Sequence, residues 1–135
     1  MNLQQVKLIE LPKILDERGN LSFFQNNDQL PFEIERVYWI HDVPGGEVRG
    51  GHAFKRQQEF IVALSGSFDV ILHDGISQQK FSLNRSYYGL YVPNMVWRCM
   101  DNFSTNSLAL IVSDLQFNEV DYIRNFDDFV NFEHD

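Results

Sequence analysis

The run EFIVALSGSFDVILHDG, from Glu59 to Gly75, alternates on a period of two. Phe60, Val62 and Leu64 interleave with Ile61, Ala63 and Ser65, and Phe68, Val70 and Leu72 interleave with Asp69, Ile71 and His73. Ser65-Gly66 separates the two runs and Asp74-Gly75 ends the second, so the pattern predicts paired strands joined by tight turns. Similar runs recur: LSFFQ after the turn Asp16–Asn20, EIERVYWI at 33–40, and Gly51 to Phe54 after the break at Pro44-Gly45-Gly46. Others follow at 79–83, 88–92, 96–100 and 108–113. Turn signals at intervals of roughly 8–12 residues predict an all-β sandwich or barrel. The tail changes period. Asn118 can cap a helix, and Val120, Ile123 and Phe126 recur at spacing three. One or two short helices over 118–132, covering a barrel end, are expected. With no repeat, linker or low-complexity tract, residues 1–135 are expected to form one domain.

Composition narrows the class. The 135 residues are 44% hydrophobic and 14% aromatic, with twelve Phe, which suits a packed core and not a disordered chain. The opening MNLQQVKLIELPK lacks a basic segment followed by an apolar run, and no apolar run approaches the ~18–20 residues that span a bilayer. A soluble, cytoplasmic protein is expected, with no membrane partner. The lone Cys99 allows neither an internal disulfide nor a cysteine zinc site. A net charge of -8 argues against nucleic acid, whose affinity comes from Lys and Arg on phosphates. From Asp114 to Asp135 there are seven acids against the single base Arg124, whereas Arg36, Arg49, Lys55, Arg56 and Arg98 lie in or near the predicted barrel strands. Local cations of this kind can hold a small anionic ligand in an acidic protein.

The candidate chemistry sits on a spacing. Gly46, His52, Phe54, Glu59 and Gly66 fit the first cupin signature, G-x5-H-x-H-x4-E-x6-G, except that Phe54 takes the second histidine's place. Pro93, Met95, Arg98 and Asn102 fall on the second, P-x-G-x2-H-x3-N, with Pro and Asn matching. The predicted fold is therefore a cupin, an all-β double-stranded β-helix of the jelly-roll type, with short C-terminal helices. Period two places His52 and Phe54 on one face of a strand, towards the barrel interior. Two of the four metal-ligand positions are lost, one of them to a cation that cannot ligate, so no metal is expected. Arg36, Arg49 and Arg98 with Tyr38, Tyr91 and Trp97 suit a cavity for a flat base and phosphates.

Longer strings add specificity. They are Asp16-x-Arg18-Gly19, Pro31-Phe32-x-Ile34-x-Arg36-Val37-Tyr38, Arg49-Gly50-x-His52-Ala53, Ser65-Gly66-Ser67 and Gly89-Leu90-Tyr91-Val92. Trp97-Arg98, Asn102-Phe103-Ser104 and Asp121-Tyr122-Ile123-Arg124 complete them. Together they resemble the WxcM-like cupins, the dTDP-4-dehydro-6-deoxyglucose 3,4-ketoisomerases of bacterial deoxysugar biosynthesis. The resemblance implies a metal-free, cofactor-free homodimer with exchanged strands. It implies a dTDP-linked 4-keto sugar as substrate, whose keto group moves from C4 to C3 on the way to 3-amino sugars of surface glycans such as O-antigens. The two histidines of the family's R-G-x-H-A-H lie at the sugar, and they fall on His52 and Phe54.

One imidazole can serve a 3,4-keto shift if it takes the C3 proton and returns it to C4 on the same face. His52 is thus the expected acid/base, and Arg98 or a tyrosine the donor to the enediolate. Arg36, Arg49 and Arg98 are the expected phosphate or sugar contacts. Tyr38, Tyr91 and Trp97 are the expected walls, and Phe54 packs against an apolar sugar face. Three alternatives stay open: a non-catalytic nucleotide-sugar-binding cupin, favoured by Phe54; a 3,5-epimerase, whose chains also open with a D-x-R-G turn; and a metal-dependent dioxygenase.

Overall fold

The alternating runs become the strands of two facing antiparallel sheets. The computed structural model describes residues 2–134. Met1 and Asp135, the ends of the stretches read above for a leader and for acidic charge, lie outside it. The first half of the chain gives β1 (Lys7–Glu10), β2 (Lys13–Ile14), β3 (Leu21–Ser22), β4 (Arg36–His41), β5 (Arg49–Phe54) and β6 (Glu59–Ser65). Then come β7 (Phe68–His73), β8 (Gln78–Leu83), β9 (Tyr88–Val92), β10 (Trp97–Asp101), β11 (Leu108–Ser113), β12 (Tyr122–Ile123) and the helix α1 (Phe126–His134). One sheet runs β1-β9-β6-β11-β4, the other β12-β5-β10-β7-β8, and β2 pairs with β3. This is the expected all-β cupin architecture. No helix among the described residues is long and apolar enough to cross a membrane.

The main core lies between the sheets, where Ile61, Ala63, Val70, Leu72, Leu90, Met100 and Ile111 are buried. Alternation predicts one wet face for β6, yet residues 59–63 are buried on both faces. The reason is the segment before β4. Leu30 and Phe32 fold over the outer face and pack with Phe60, Val62 and Val112, and Phe24 meets Phe60 edge-on at 5.3 Å. The LSFFQ run therefore forms a strand only at Leu21–Ser22 and spends Phe24 as a lid on the sheet.

The tail is not a continuous helix. A 3-10 turn at Glu119–Asp121, capped by Asn118 as expected, leads into β12, which joins the edge of β5 with Tyr122 opposite Phe54 and Ile123 opposite Ala53. Only then does α1 begin, burying Phe129 beside Ala53 and Ile123. Val120 is 74% exposed, so the spacing-three series does not share one buried face.

Asp121 fixes this arrangement. Its buried carboxylate accepts from the backbone N–H of Arg56 at 2.8 Å, the backbone N–H of Gln57 at 3.1 Å and Gln57 Nε2 at 3.2 Å. Asp121→Ala strands those donors, and each orphaned donor costs about 1–3 kcal/mol. Urea denaturation of that variant is expected to show a loss of about 3 kcal/mol.

Candidate active site

The inner faces of β4, β5, β6 and β10 converge at one end of the barrel. Arg98 stands directly opposite His52 in the pairing of β10 with β5. Arg98 is 1% exposed. Nε donates to Glu59 Oε1 at 2.7 Å, and Nη2 donates to Glu59 Oε2 at 3.2 Å and to the Tyr38 hydroxyl at 2.7 Å. The Tyr38 hydroxyl in turn donates to Glu59 through a short hydrogen bond. Burial raises the Tyr38 phenol well above its ordinary value, so it keeps its proton. Burial also opposes the charge on Arg98, but Glu59 and Tyr38 outweigh it and hold the guanidinium charged. The Arg98 side chain passes so close to the backbone that a Cβ on Gly50, which has φ +71°, would lie 2.5 Å from Nη1.

These contacts decide what the cupin frame can hold. Of its four ligand positions, Phe54 and Arg98 offer no lone pair, and Glu59 is committed to Arg98 and Tyr38. The donor set does not fit a divalent metal. Among the described residues, no three His, Cys, Asp or Glu side chains gather as ligands.

His52 is 7% exposed, and its Nε2 is buried without a hydrogen-bond partner. Its ring lies edge-on to Phe54 at 4.7 Å and to Tyr122 at 5.0 Å, and those two rings meet at 4.6 Å. Burial, followed by the charges of Arg98, Arg124 and Arg36, lowers the imidazole to about 2. His52 is therefore neutral at working pH and carries a free lone pair. Buried polar atoms in native proteins are rarely left unpaired, so this nitrogen is available to a water or a ligand in the adjoining cleft. The cleft has a volume of about 450 Å³, and its wall includes Tyr38, Arg49, His52, Arg98, Tyr122 and Arg124.

Half of the expected site residues, Tyr38, Arg49, His52 and Arg98, line this cleft. Arg36 lies just behind the wall. Its guanidinium stacks on the Tyr38 ring at 4.6 Å and donates to Gln57 Oε1 at 3.2 Å and to the Tyr122 hydroxyl at 3.3 Å. Phe54 is buried against His52 rather than lining the cleft. Trp97 takes the opposite face of β10 from Arg98, as period two requires, and packs with Phe126 and Phe129 of the tail. Tyr91 lies opposite Phe60 on the outer side of the first sheet, with its ring near Phe32 and its hydroxyl donating to Gln58. Neither Trp97 nor Tyr91 reaches the cleft. In their place the tail brings Tyr122 and Arg124, with the Arg124 guanidinium 4.2 Å from the Tyr122 ring centre. The sequence signal for them is the DYIR string itself, with polar residues at spacing two around a buried Ile123.

Residues 4–134 match the family described as FdtA, WxcM-like, C-terminal. The chain belongs to this WxcM-like family. It is 40% identical over 126 residues, 93% of this chain and 91% of the relative, to the TDP-4-oxo-6-deoxy-alpha-D-glucose-3,4-oxoisomerase of Aneurinibacillus thermoaerophilus. Among solved structures, the WlaRB TDP-quinovose 3,4-ketoisomerase of Campylobacter jejuni matches at TM-score 0.90 and 40% identity, covering 95% of this chain and 98% of that one. A His-to-Asn mutant of the 3,4-ketoisomerase QdtA from Thermoanaerobacterium thermosaccharolyticum, in complex with TDP-4-keto-6-deoxyglucose, matches at TM-score 0.93 and 31% identity. That match covers 95% of this chain and 93% of the other.

The burial of His52 in this WxcM-like chain has a measurable consequence. Because the folded imidazole is lowered to about 2 and the unfolded one titrates near ~6.5, the unfolded state binds the extra proton at mildly acidic pH. This group's contribution is fully present above the unfolded value and is lost as pH falls below it. Between pH 7 and 5 the loss is about 2 kcal/mol. Urea unfolding at the two pH values is expected to show this slope in the unmodified protein and to lack it in His52→Asn.

Proposed function

We propose that the protein is a TDP-sugar 3,4-ketoisomerase. It moves the keto group of a TDP-linked 4-keto-6-deoxyhexose from C4 to C3, without metal or other cofactor, in deoxysugar and amino-sugar synthesis for surface glycans. The observation that carries this reading is the neutral, unpartnered imidazole of His52 beside a cationic cleft, in a chain 40% identical to a TDP-4-oxo-6-deoxyglucose 3,4-oxoisomerase. Arg49 and Arg124 at the wall suit the diphosphate, because guanidinium groups bind phosphate oxygens in pairs. His52 takes the proton from C3 and returns it to C4. Glu59, Arg98 and Tyr38 form the floor and position the ring opposite them.

The reading extends to a cytoplasmic homodimer with exchanged strands. Val37 and Trp39, 50% and 58% exposed on the edge strand β4, support a second copy against that sheet. A competing reading is favoured by Phe54. Its ring fills the inward position two residues after His52 with a group that can move no proton, which suits a protein that binds a TDP-sugar without turning it over.

Incubation with TDP-4-keto-6-deoxyglucose and NMR of the product separates the two. The expected result is a 3-keto product, with His52→Asn reducing turnover by about 10³-fold. Binding by calorimetry with no product would instead establish the non-catalytic reading.

A further inference from the structure

A 3,4-keto shift has to move two kinds of proton. One leaves C3 and arrives at C4. The other must reach O4 as the C4 carbonyl is reduced and must leave O3 as the new carbonyl forms. His52 accounts for the carbon-bound proton. The oxygen-bound proton needs a second group in the same cleft, one that both gives and accepts.

Two tyrosines stand on the cleft wall, each with one hydroxyl. That of Tyr38 is fully engaged, donating to Glu59 and accepting from Arg98. That of Tyr122 accepts from Arg36 Nη2 at 3.3 Å, and its own hydrogen has no acceptor among the described residues. Its ring is 5.0 Å from the His52 ring, half-buried at the cleft, and lies opposite Phe54 in the pairing of β12 with β5. Arg36 meets its oxygen and Arg124 covers its face, so negative charge passing onto that oxygen is met by cations.

We propose that Tyr122 is the second catalytic residue of this chain, shuttling the hydroxyl proton between O4 and O3 while His52 shuttles the carbon-bound one. This rests on the ketoisomerase reading. In the first half, the C3–H bond breaks and its proton goes to His52. The electron pair forms C3=C4, the carbonyl pair moves to O4, and O4 takes the Tyr122 proton. In the second half, the O3–H proton passes to the Tyr122 oxygen and the O3–H electrons form the C3 carbonyl. The C3=C4 pair then takes the His52 proton at C4. Both side chains end as they began, and no oxidant or reductant is required.

The test is Tyr122→Phe, which keeps the ring and removes only the hydroxyl, assayed beside the unmodified protein and His52→Asn in D2O with TDP-4-keto-6-deoxyglucose. Turnover by Tyr122→Phe is expected to fall about 10²–10³-fold, with calorimetric affinity for TDP unchanged. Deuterium is expected to enter C3 of the substrate faster than product forms, because His52 still opens the C–H bond. His52→Asn is expected to lose both exchange and product. Phe54→His in the Tyr122→Phe background, which places an imidazole across the strand pair from residue 122, is expected to recover part of the turnover. Tyr122→Phe turning over like the unmodified protein would overturn the proposal and leave the ketoisomerase reading standing. An unmodified protein that binds the sugar without turnover would remove both.

Discussion

The pairing of Arg98 with Glu59 is the constraint on which the rest of the site depends. A guanidinium held in the core is costly unless its charge and its N–H groups are answered, and here two carboxylate oxygens and a phenol answer them. Those partners come from β6 and β4, in the sheet opposite β10, so the ion pair also ties the two sheets together. Its route past the backbone admits only glycine at position 50, and it places a permanent positive charge beside His52. Lysine would not substitute, because a single ammonium cannot reach both carboxylate oxygens and the phenol in this planar arrangement.

The tail completes what this pair begins. A chain with net charge -8 carries most of its excess acid after residue 113, yet this stretch delivers a cation to the cleft. The anchoring of Asp121 on the β5–β6 turn makes this possible. Once that carboxylate is tied down, two residues of β12 extend the sheet, and Tyr122 and Arg124 follow on the cleft side of Ile123. Glu119 holds Arg124 through a two-oxygen pair at 2.6 and 3.0 Å, with both side chains more than half exposed. Such exposed pairs are worth little in water, so the arginine can exchange this partner for a phosphate at small cost. The tail therefore serves as a wall of the site, beyond closing the barrel end.

Strand positions were legible wherever side chains alternate, and the spacing from Gly46 to Gly66 located His52 and Glu59 without a structure. The same parity argument separates Arg98 from Trp97, since neighbours on a strand face opposite ways and cannot both enter the cavity. Tyr91 fails for a related reason. It shares the outer face of the first sheet with Phe60, and only the long-range packing of residues 24–32 reveals that this face is covered. Tyr122 was hardest to place. A two-residue strand has no period of its own, and its conformation comes from β5 and from Asp121, both distant in sequence. Spacing three in that region suggested a helical face that tertiary pairing replaced.

The electrostatics of His52 tie binding to chemistry. Burial first, and then three guanidiniums, oppose the protonated form of the imidazole. Arg124 is among those three and lies on the cleft wall, where a diphosphate would meet it. A diphosphate there would weaken the Arg124 share of that field, while burial, the larger cause, would remain.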